Sequence, residues 1–260
     1  MSLIRSERAD DILVLQLARG RANALNEELV NELRTAVERA AADPGVRALV
    51  LASAVPGLFS AGFDVSEVFA YERPRMLAFF ASFVRVFEHL RTLPKPVLCA
   101  LAGHAFAGGA ILALSADFRV MAQQALLSVN EVDLAVSLPP PMIRALAAHA
   151  TPELARSMLL GAEELTAARA LSGGVASEVA PAADVLAATV RRARILARKP
   201  AEAFAVHKRA LDPLGGVATS EAQIAQTIDA WFSAEGIARR QALQQRMAER
   251  VAAAKNPTSP

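Results

Sequence analysis

Residues 97–116 read VLCALAGHAFAGGAILALSA, twenty consecutive positions without a charge, with Gly103, His104, Gly108 and Gly109 in their middle. An uncharged run of this length fits a membrane span, or a buried strand and a buried helix in series. Glycine loses the most backbone freedom on folding and is a poor interior residue for either element. The run therefore divides into a strand over 97–102, a turn, and a helix over 108–116. A helix that begins at a glycine pair leaves its first backbone N–H groups without intrahelical acceptors, free to face a ligand oxygen. A second turn of this kind lies earlier, in Phe59-Ser60-Ala61-Gly62-Phe63-Asp64. Two such turns and one well-placed carboxylate would make an acyl-activating site.

The rest of the chain narrows the alternatives. At 260 residues and 53% hydrophobic content there is material for one large core, with disorder expected only over the last few positions, 255–260. Lys and Arg number 28 against 26 acids, with no basic block and only 5% aromatics, which argues against a nucleic-acid surface. Cys99 is the single cysteine, so an intrachain disulfide and a cysteine-rich metal site are excluded. The four histidines, His89, His104, His149 and His207, show no metal spacing. The N-terminus, MSLIRSERADD, carries charge early and lacks an apolar signal region, so the expected location is cytoplasmic.

Residues 12–17 (ILVLQL) read as a strand. Asn26 before Glu27-Glu28 reads as the cap of a helix that ends at Asp43-Pro44-Gly45. Residues 46–52 form the next strand, and this strand–helix–strand order predicts a largely parallel sheet. A long helix is predicted over 75–93, closed by Pro94-Lys95-Pro96, and a strand over 126–132. Beyond Thr151 the pattern is helical, with a break at 212–216. The apolar stripe of Phe204, Ile224, Trp231 and Phe232 must bury against the body or against another subunit.

Among the ionisable residues, Glu131 stands out because it lies between Val129 and Val132 in apolar surroundings. There it is either paired structurally or has a raised pKa suited to general-base work. On the predicted strand, Asp133 shares its face by period two. Asp117, closing the glycine-led helix, reads as a salt bridge or cap. Asp64 reads as the cap of a short helix over 65–69.

Three segments now carry a resemblance: LFSAGFDVSEV (58–68), PKPVLCALAGHAFAGGAILALSADFRVM (94–121) and LLSVNEVDLAVSLPPPMIRAL (126–146). In order and spacing they resemble the signature blocks of the crotonase (enoyl-CoA hydratase/isomerase) superfamily. RANALNEELVNEL (21–33) is similar to that family's first CoA-contact loop and helix. The likeness spans about residues 10–210. It implies an α/β fold, a crotonase-like spiral of ββα units over 1–200. A C-terminal helical region over 201–260 would assemble homotrimers or homohexamers. It implies an acyl-CoA substrate, with coenzyme A entering as part of that substrate and no separate cofactor or metal.

The resemblance also implies roles. The backbone N–H groups of Phe63 and Gly108 would form an oxyanion hole. Ala24, Ala61, Asp64 and Val65 would lie along the CoA track, and Lys208 would reach a CoA phosphate or else be a solvent-exposed helix lysine. Hydratases of the family use two glutamates. One position, three residues after the oxyanion glycine, is Ile111 here; the other, 23 residues after it, is Glu131. One carboxylate suffices to move a proton from C2 to C4 of a 3-enoyl thioester. Family isomerases of the mitochondrial Δ3,Δ2 type have an aliphatic residue at the Ile111 position and a pair like Asn130-Glu131. The leading expectation is therefore an enoyl-CoA isomerase. Another crotonase-type acyl-CoA enzyme, such as a weak hydratase, and a non-catalytic acyl-CoA-binding protein are the alternatives. Asp133 and the Pro139-Pro141 run depart from the family's usual pattern.

Overall fold

The uncharged run supplies the centre of the molecule. A computed structural model describes residues 2–213 and 217–255; the predicted tail beyond 255 and part of the predicted break at 212–216 lie outside the described residues. The first half contains β1 (Ile4–Ala9), β2 (Ile12–Leu17), α1 (Glu27–Ala42), β3 (Ala48–Ser53), β4 (Leu58–Ser60) and α2 (Arg73–Thr92). Next come β5 (Val97–Leu101), β6 (His104–Phe106), α3 (Gly108–Leu114), β7 (Phe118–Ala122) and β8 (Leu126–Ser128). The remainder is α4 (Pro140–Ala147), α5 (Pro152–Leu160), β9 (Leu165–Thr166), α6 (Ala167–Ser172) and β10 (Glu178–Ala180), then α7 (Val185–Ala197), α8 (Ala201–Leu211), α9 (Glu221–Trp231) and α10 (Ala234–Lys255).

Six strands form the larger sheet in the order β1-β2-β3-β5-β7-β10. Only the β1–β2 hairpin is antiparallel; β2–β3, β3–β5, β5–β7 and β7–β10 are parallel. All five residues of β5 are buried, because the strand is flanked by β3 and β7 and takes its place inside a parallel sheet. Strands covered on both faces read as continuous apolar runs rather than alternating ones. All seven residues of α3 are buried too, so the twenty-residue run is strand, short strand and helix in the core. Among the described residues no helix is long and apolar enough to cross a membrane.

The smaller sheet, β4-β6-β8-β9, has β4, β6 and β8 parallel and β9 antiparallel. Three-residue strands carry too little periodicity to be seen in a sequence. The expected strand over 126–132 therefore needs correction. Pairing stops at Ser128, and Glu131–Leu134 is a 3-10 helix ended by Ala135 at φ +53°. Asp133 consequently does not share a strand face with Glu131: it is exposed, whereas Glu131 is buried.

The cap signal of α1 acts as predicted, whereas the helix that opens in the Pro139-Pro141 run was not expected. Asn26 Oδ1 accepts from the Leu29 amide at 3.0 Å and caps α1, with Glu27 and Glu28 in the first turn. Pro140 and Pro141 open α4, where proline's missing donor costs nothing. The C-terminal stripe buries against the body of the same chain: Ile224, Ile228 and Trp231 of α9 are buried and α9 packs on α2, while Phe204 stays half-buried.

Candidate active site

The three parallel strands of the small sheet end at one place. β4 runs into Ala61-Gly62-Phe63, β6 into Ala107-Gly108, and β8 into Asn130-Glu131. Loops at the carboxyl ends of parallel strands are where open α/β sheets bind ligands. Here those loops border a cavity of about 930 Å³.

The first two turns are in contact. Gly62 has φ +89°, and a Cβ there would lie 2.9 Å from the Ala107 Cβ and 3.3 Å from the Gly108 nitrogen. A Cβ on Gly109 would lie 2.6 Å from the Ser60 carbonyl oxygen. The glycines are needed for close approach of one turn to the other, beyond any turn conformation of their own. Ala107 itself adopts φ +47°, ψ −127°, an unfavourable region for a residue with a Cβ. Strain of this kind, of order 1–3 kcal/mol, persists where surrounding structure over-determines it and is concentrated at functional sites.

Both amides are aimed by the hydrogen bonds of their own peptide units. The Leu25 amide donates to the Gly62 carbonyl at 2.7 Å, and the Asp64 amide donates to the Leu25 carbonyl at 2.9 Å. In a trans peptide the carbonyl and the following N–H point opposite ways. The Phe63 N–H is thus turned away from Leu25. At the second turn the Ala107 carbonyl accepts from the Ile111 amide at 3.0 Å, which sends the Gly108 N–H out of the helix start. Among the described residues neither the Phe63 nor the Gly108 amide donates to a protein acceptor, and both residues border the cavity.

Glu131 is 9% exposed, and among the described residues its Oε2 has no hydrogen-bond partner. Burial pushes its carboxyl up to about 7, opposed only by a hydrogen bond from its own amide. The neighbouring Asn130 Oδ1 is likewise buried without a partner. Ile111, 1% exposed, presents a hydrocarbon to the same cavity. A buried carboxylate raised toward neutrality, with no cation paired to it among the described residues, is suited to taking and returning a proton.

The expected site residues Ala24, Ala61, Phe63, Asp64, Val65, Gly108, Ile111 and Glu131 all border this cavity. The helix expected over 65–69 is instead a turn at 65–67 followed by a 3-10 helix over Val68–Ala70 that starts after Glu67. Asp64 closes that turn, accepting from the Ser66 and Glu67 amides at 2.9 and 3.1 Å. Its carboxylate is further held by Arg19, 2.6 Å away. Lys208 is placed elsewhere. Its ammonium lies 2.8 Å from Asp117 and donates to the Lys95 and Leu90 carbonyls, with the side chain 9% exposed. It neither borders the cavity nor faces solvent, because Asp117, just beyond α3, and the Leu90 and Lys95 carbonyls draw it inward from α8. His104 belongs to β6, accepting from the Leu126 amide at 3.1 Å and stacking on Phe106.

Sequence reasoning missed the wall built by the last two helices. Trp231 of α9 and Leu243, Gln244 and Met247 of α10 border the cavity. Gln244 donates to the Val65 carbonyl at 3.2 Å. Trp231 meets Phe69 edge-on at 5.3 Å, and Phe63 meets Phe79 and Phe83 edge-on at 4.8 and 5.1 Å. The apolar stripe of α9 was the only signal for this wall. Among the described residues no group of three or more His, Cys, Asp or Glu side chains is arranged to hold a metal.

Residues 7–249 match the sequence profile of the enoyl-CoA hydratase/isomerase family. A probable enoyl-CoA hydratase of Mycobacterium bovis is 34% identical over 240 residues, covering 86% of this chain and 96% of its own. The mitochondrial methylglutaconyl-CoA hydratase of Mus musculus is 31% identical over 225 residues, covering 83% of this chain and 72% of its own. Among solved structures, the human mitochondrial Δ3,Δ2-enoyl-CoA isomerase superposes with a TM-score of 0.91 over 96% of this chain and 99% of its own. At 21% identity this is a likeness of fold alone.

Proposed function

The chain belongs to the enoyl-CoA hydratase/isomerase family and is an enzyme of that kind, and we propose that it moves the double bond of a 3-enoyl-CoA to the 2-position. The observation that carries this reading is the pairing of one buried carboxylate, Glu131, whose Oε2 has no partner among the described residues, with a hydrocarbon, Ile111, in the same cavity.

In the proposed reaction the Glu131 carboxylate removes a proton from C2. The electron pair of that C–H bond spreads over C2 to C4 and the thioester carbonyl as a dienolate. Protonated Glu131 then returns the same proton to C4, leaving the double bond between C2 and C3 and the carboxylate restored. Negative charge gathers on the thioester oxygen between the two steps, where the Phe63 and Gly108 amides receive it. Losing one such donor costs about 3–4 kcal/mol of barrier. Ala24, Ala61, Asp64 and Val65 form the CoA side of the site. Homotrimers or homohexamers are the proposed assembly, and a monomer in sedimentation would overturn it.

A second reading, hydration of a 2-enoyl-CoA, is favoured by the names of the curated relatives and by the unpartnered Asn130 Oδ1, an acceptor for a water. Incubation with 3-enoyl-CoA and 2-enoyl-CoA, following both products, separates the two. Isomerisation lost in Glu131→Gln supports the proposal. Isomerisation that survives it sinks the mechanism, and 3-hydroxyacyl-CoA as the main product favours hydration.

A further inference from the structure

The Phe63 amide is set by its neighbours, and those neighbours are held by one side chain that does not border the cavity. Arg19 Nη1 donates to the Ala24 carbonyl at 2.8 Å and to Asp64 Oδ2 at 2.6 Å, while Nη2 donates to Glu67 Oε2 at 3.3 Å. Ala24 and Asp64 flank the isolated bridge between Leu25 and Phe63, one on each side of it. The guanidinium therefore staples the two segments together at the place where their hydrogen bonds orient the Phe63 N–H.

The staple is anchored at its base. The Arg19 amide donates to Asn23 Oδ1 at 2.8 Å, Asn23 adopts φ +43°, and its Nδ2 donates to the Phe59 carbonyl at 3.0 Å. Ser60 Oγ in turn donates to the Asn23 carbonyl at 2.7 Å. Residues 19–25 and 59–64 thus form one hydrogen-bonded body. The side chains of Arg19 and Asp64 are 23% and 12% exposed, so the pair is shielded from the solvent screening that makes surface pairs weak. Burial would raise the Asp64 carboxyl, but hydrogen bonds from Ser66, Arg19 and the Glu67 amide outweigh it and hold the group below its ordinary value.

We propose that Arg19 is a positioning residue for catalysis, fixing the direction of the Phe63 oxyanion donor by clamping the Ala24 carbonyl and the Asp64 carboxylate at once. The inference rests on the acyl-CoA chemistry proposed above but not on which reaction follows enolate formation. A planar fork with five donors can bridge a carbonyl and a carboxylate, whereas a lysine ammonium can pair with Asp64 without reproducing that fork. An oxyanion donor counts through its aim, so a loosened clamp weakens carbonyl polarisation before it unfolds anything.

The test uses the full chain with hexanoyl-CoA labelled with carbon-13 at C1. This thioester has no double bond and is turned over by neither an isomerase nor a hydratase. Difference infrared spectroscopy of the bound carbonyl, with thermal melts as a folding check, compares wild type, Arg19→Lys and Arg19→Met. The expected result is a carbonyl stretch lowered on binding to wild type, less in Arg19→Lys, and least in Arg19→Met. In parallel, kcat for 3-hexenoyl-CoA in Arg19→Met should fall about tenfold to a hundredfold, as for a weakened oxyanion contact. A folded Arg19→Met protein with the wild-type carbonyl frequency overturns the proposal. Should Arg19→Met not fold, an Arg19→Lys protein with the wild-type frequency does the same. Wild type that polarises the carbonyl yet does not isomerise 3-hexenoyl-CoA refutes the isomerase reading and leaves the role of Arg19 standing.

Discussion

A Cβ placed on Gly108 would stand 3.0 Å from Cε1 of Phe63, so the two residues proposed to supply the oxyanion hole are packed against each other. One step along α3 the tolerance is smaller still, because a Cβ on Gly109 meets the Ser60 backbone at 2.6 Å. An aromatic ring can swing aside, but a strand carbonyl cannot. Gly109→Ala should therefore destabilise the fold by about 1–3 kcal/mol, the usual cost of forcing extra atoms into a packed core. Gly108→Ala should cost less stability while lowering turnover. Urea denaturation of both variants, with initial rates on 3-enoyl-CoA, reads the difference.

The buried position of Glu131 fixes the pH response of the proposed reaction. Its carboxyl is pushed up to about 7, and it must be ionised in the free enzyme to take a proton. The value of kcat/KM should fall on the acid side of about pH 7 and level off above it, since this profile reports the free enzyme's essential groups. A flat profile between pH 5 and pH 8 would remove Glu131 from the role.

Stability should move with pH through the same group. Between the ordinary value of 4.5 and about 7, Glu131 holds a proton in the folded chain but not in the unfolded one. Its contribution is therefore present at low pH and lost as pH rises through that window. Equilibrium unfolding of wild type and Glu131→Gln, measured at each pH, should show the variant gaining relative stability from pH 5 to pH 7.

Ile111 is the position that separates the two readings of the reaction. Ile111→Glu places a second carboxylate in the cavity that Glu131 borders. It should raise 3-hydroxyacyl-CoA formation from 2-enoyl-CoA and lower isomerisation. It should also cost about 1–3 kcal/mol of stability, because a 1%-exposed side chain becomes polar. Chromatography of the two products, with a denaturation curve, measures both effects.

The pair Lys208–Asp117 predicts a stability effect without a binding effect. Burial lowers the lysine and raises the aspartate, each toward its neutral form, and their mutual attraction opposes this. Lys208→Met leaves the buried Asp117 without its ion-pair partner, held then by the Val97 amide and the field of Arg119, and should cost about 3–5 kcal/mol, while the double variant with Asp117→Asn should recover much of it. Affinity for acyl-CoA should stay unchanged by calorimetry. A selective loss of affinity would restore Lys208 to the CoA site.

How much of this was legible in the chain depends on the range of the interaction. Asn26 as a cap rests on a contact three residues away, and the strand expected over 97–102 and the helix expected over 108–116 rest on apolar continuity and a glycine pair within one short run; the structure has them at Val97–Leu101 and Gly108–Leu114. Glu131 was found by its apolar neighbours, but its strand was not real. Ser128 is the last residue of β8 with a pairing partner, and where partners end is set by β6 and β9.

By itself the sequence determined the buried strand, the glycine turn, the lone carboxylate and the hydrocarbon at Ile111, because apolar continuity, missing side chains and missing charges are properties of the residues themselves. Only the tertiary structure decided that β4, β6 and β8 end side by side, that Arg19 reaches Asp64 across 45 positions, that Lys208 turns inward, and that α9 and α10 wall the chain's own cavity. Those choices are made by long-range packing, in which each group takes the partner that the whole fold brings within reach.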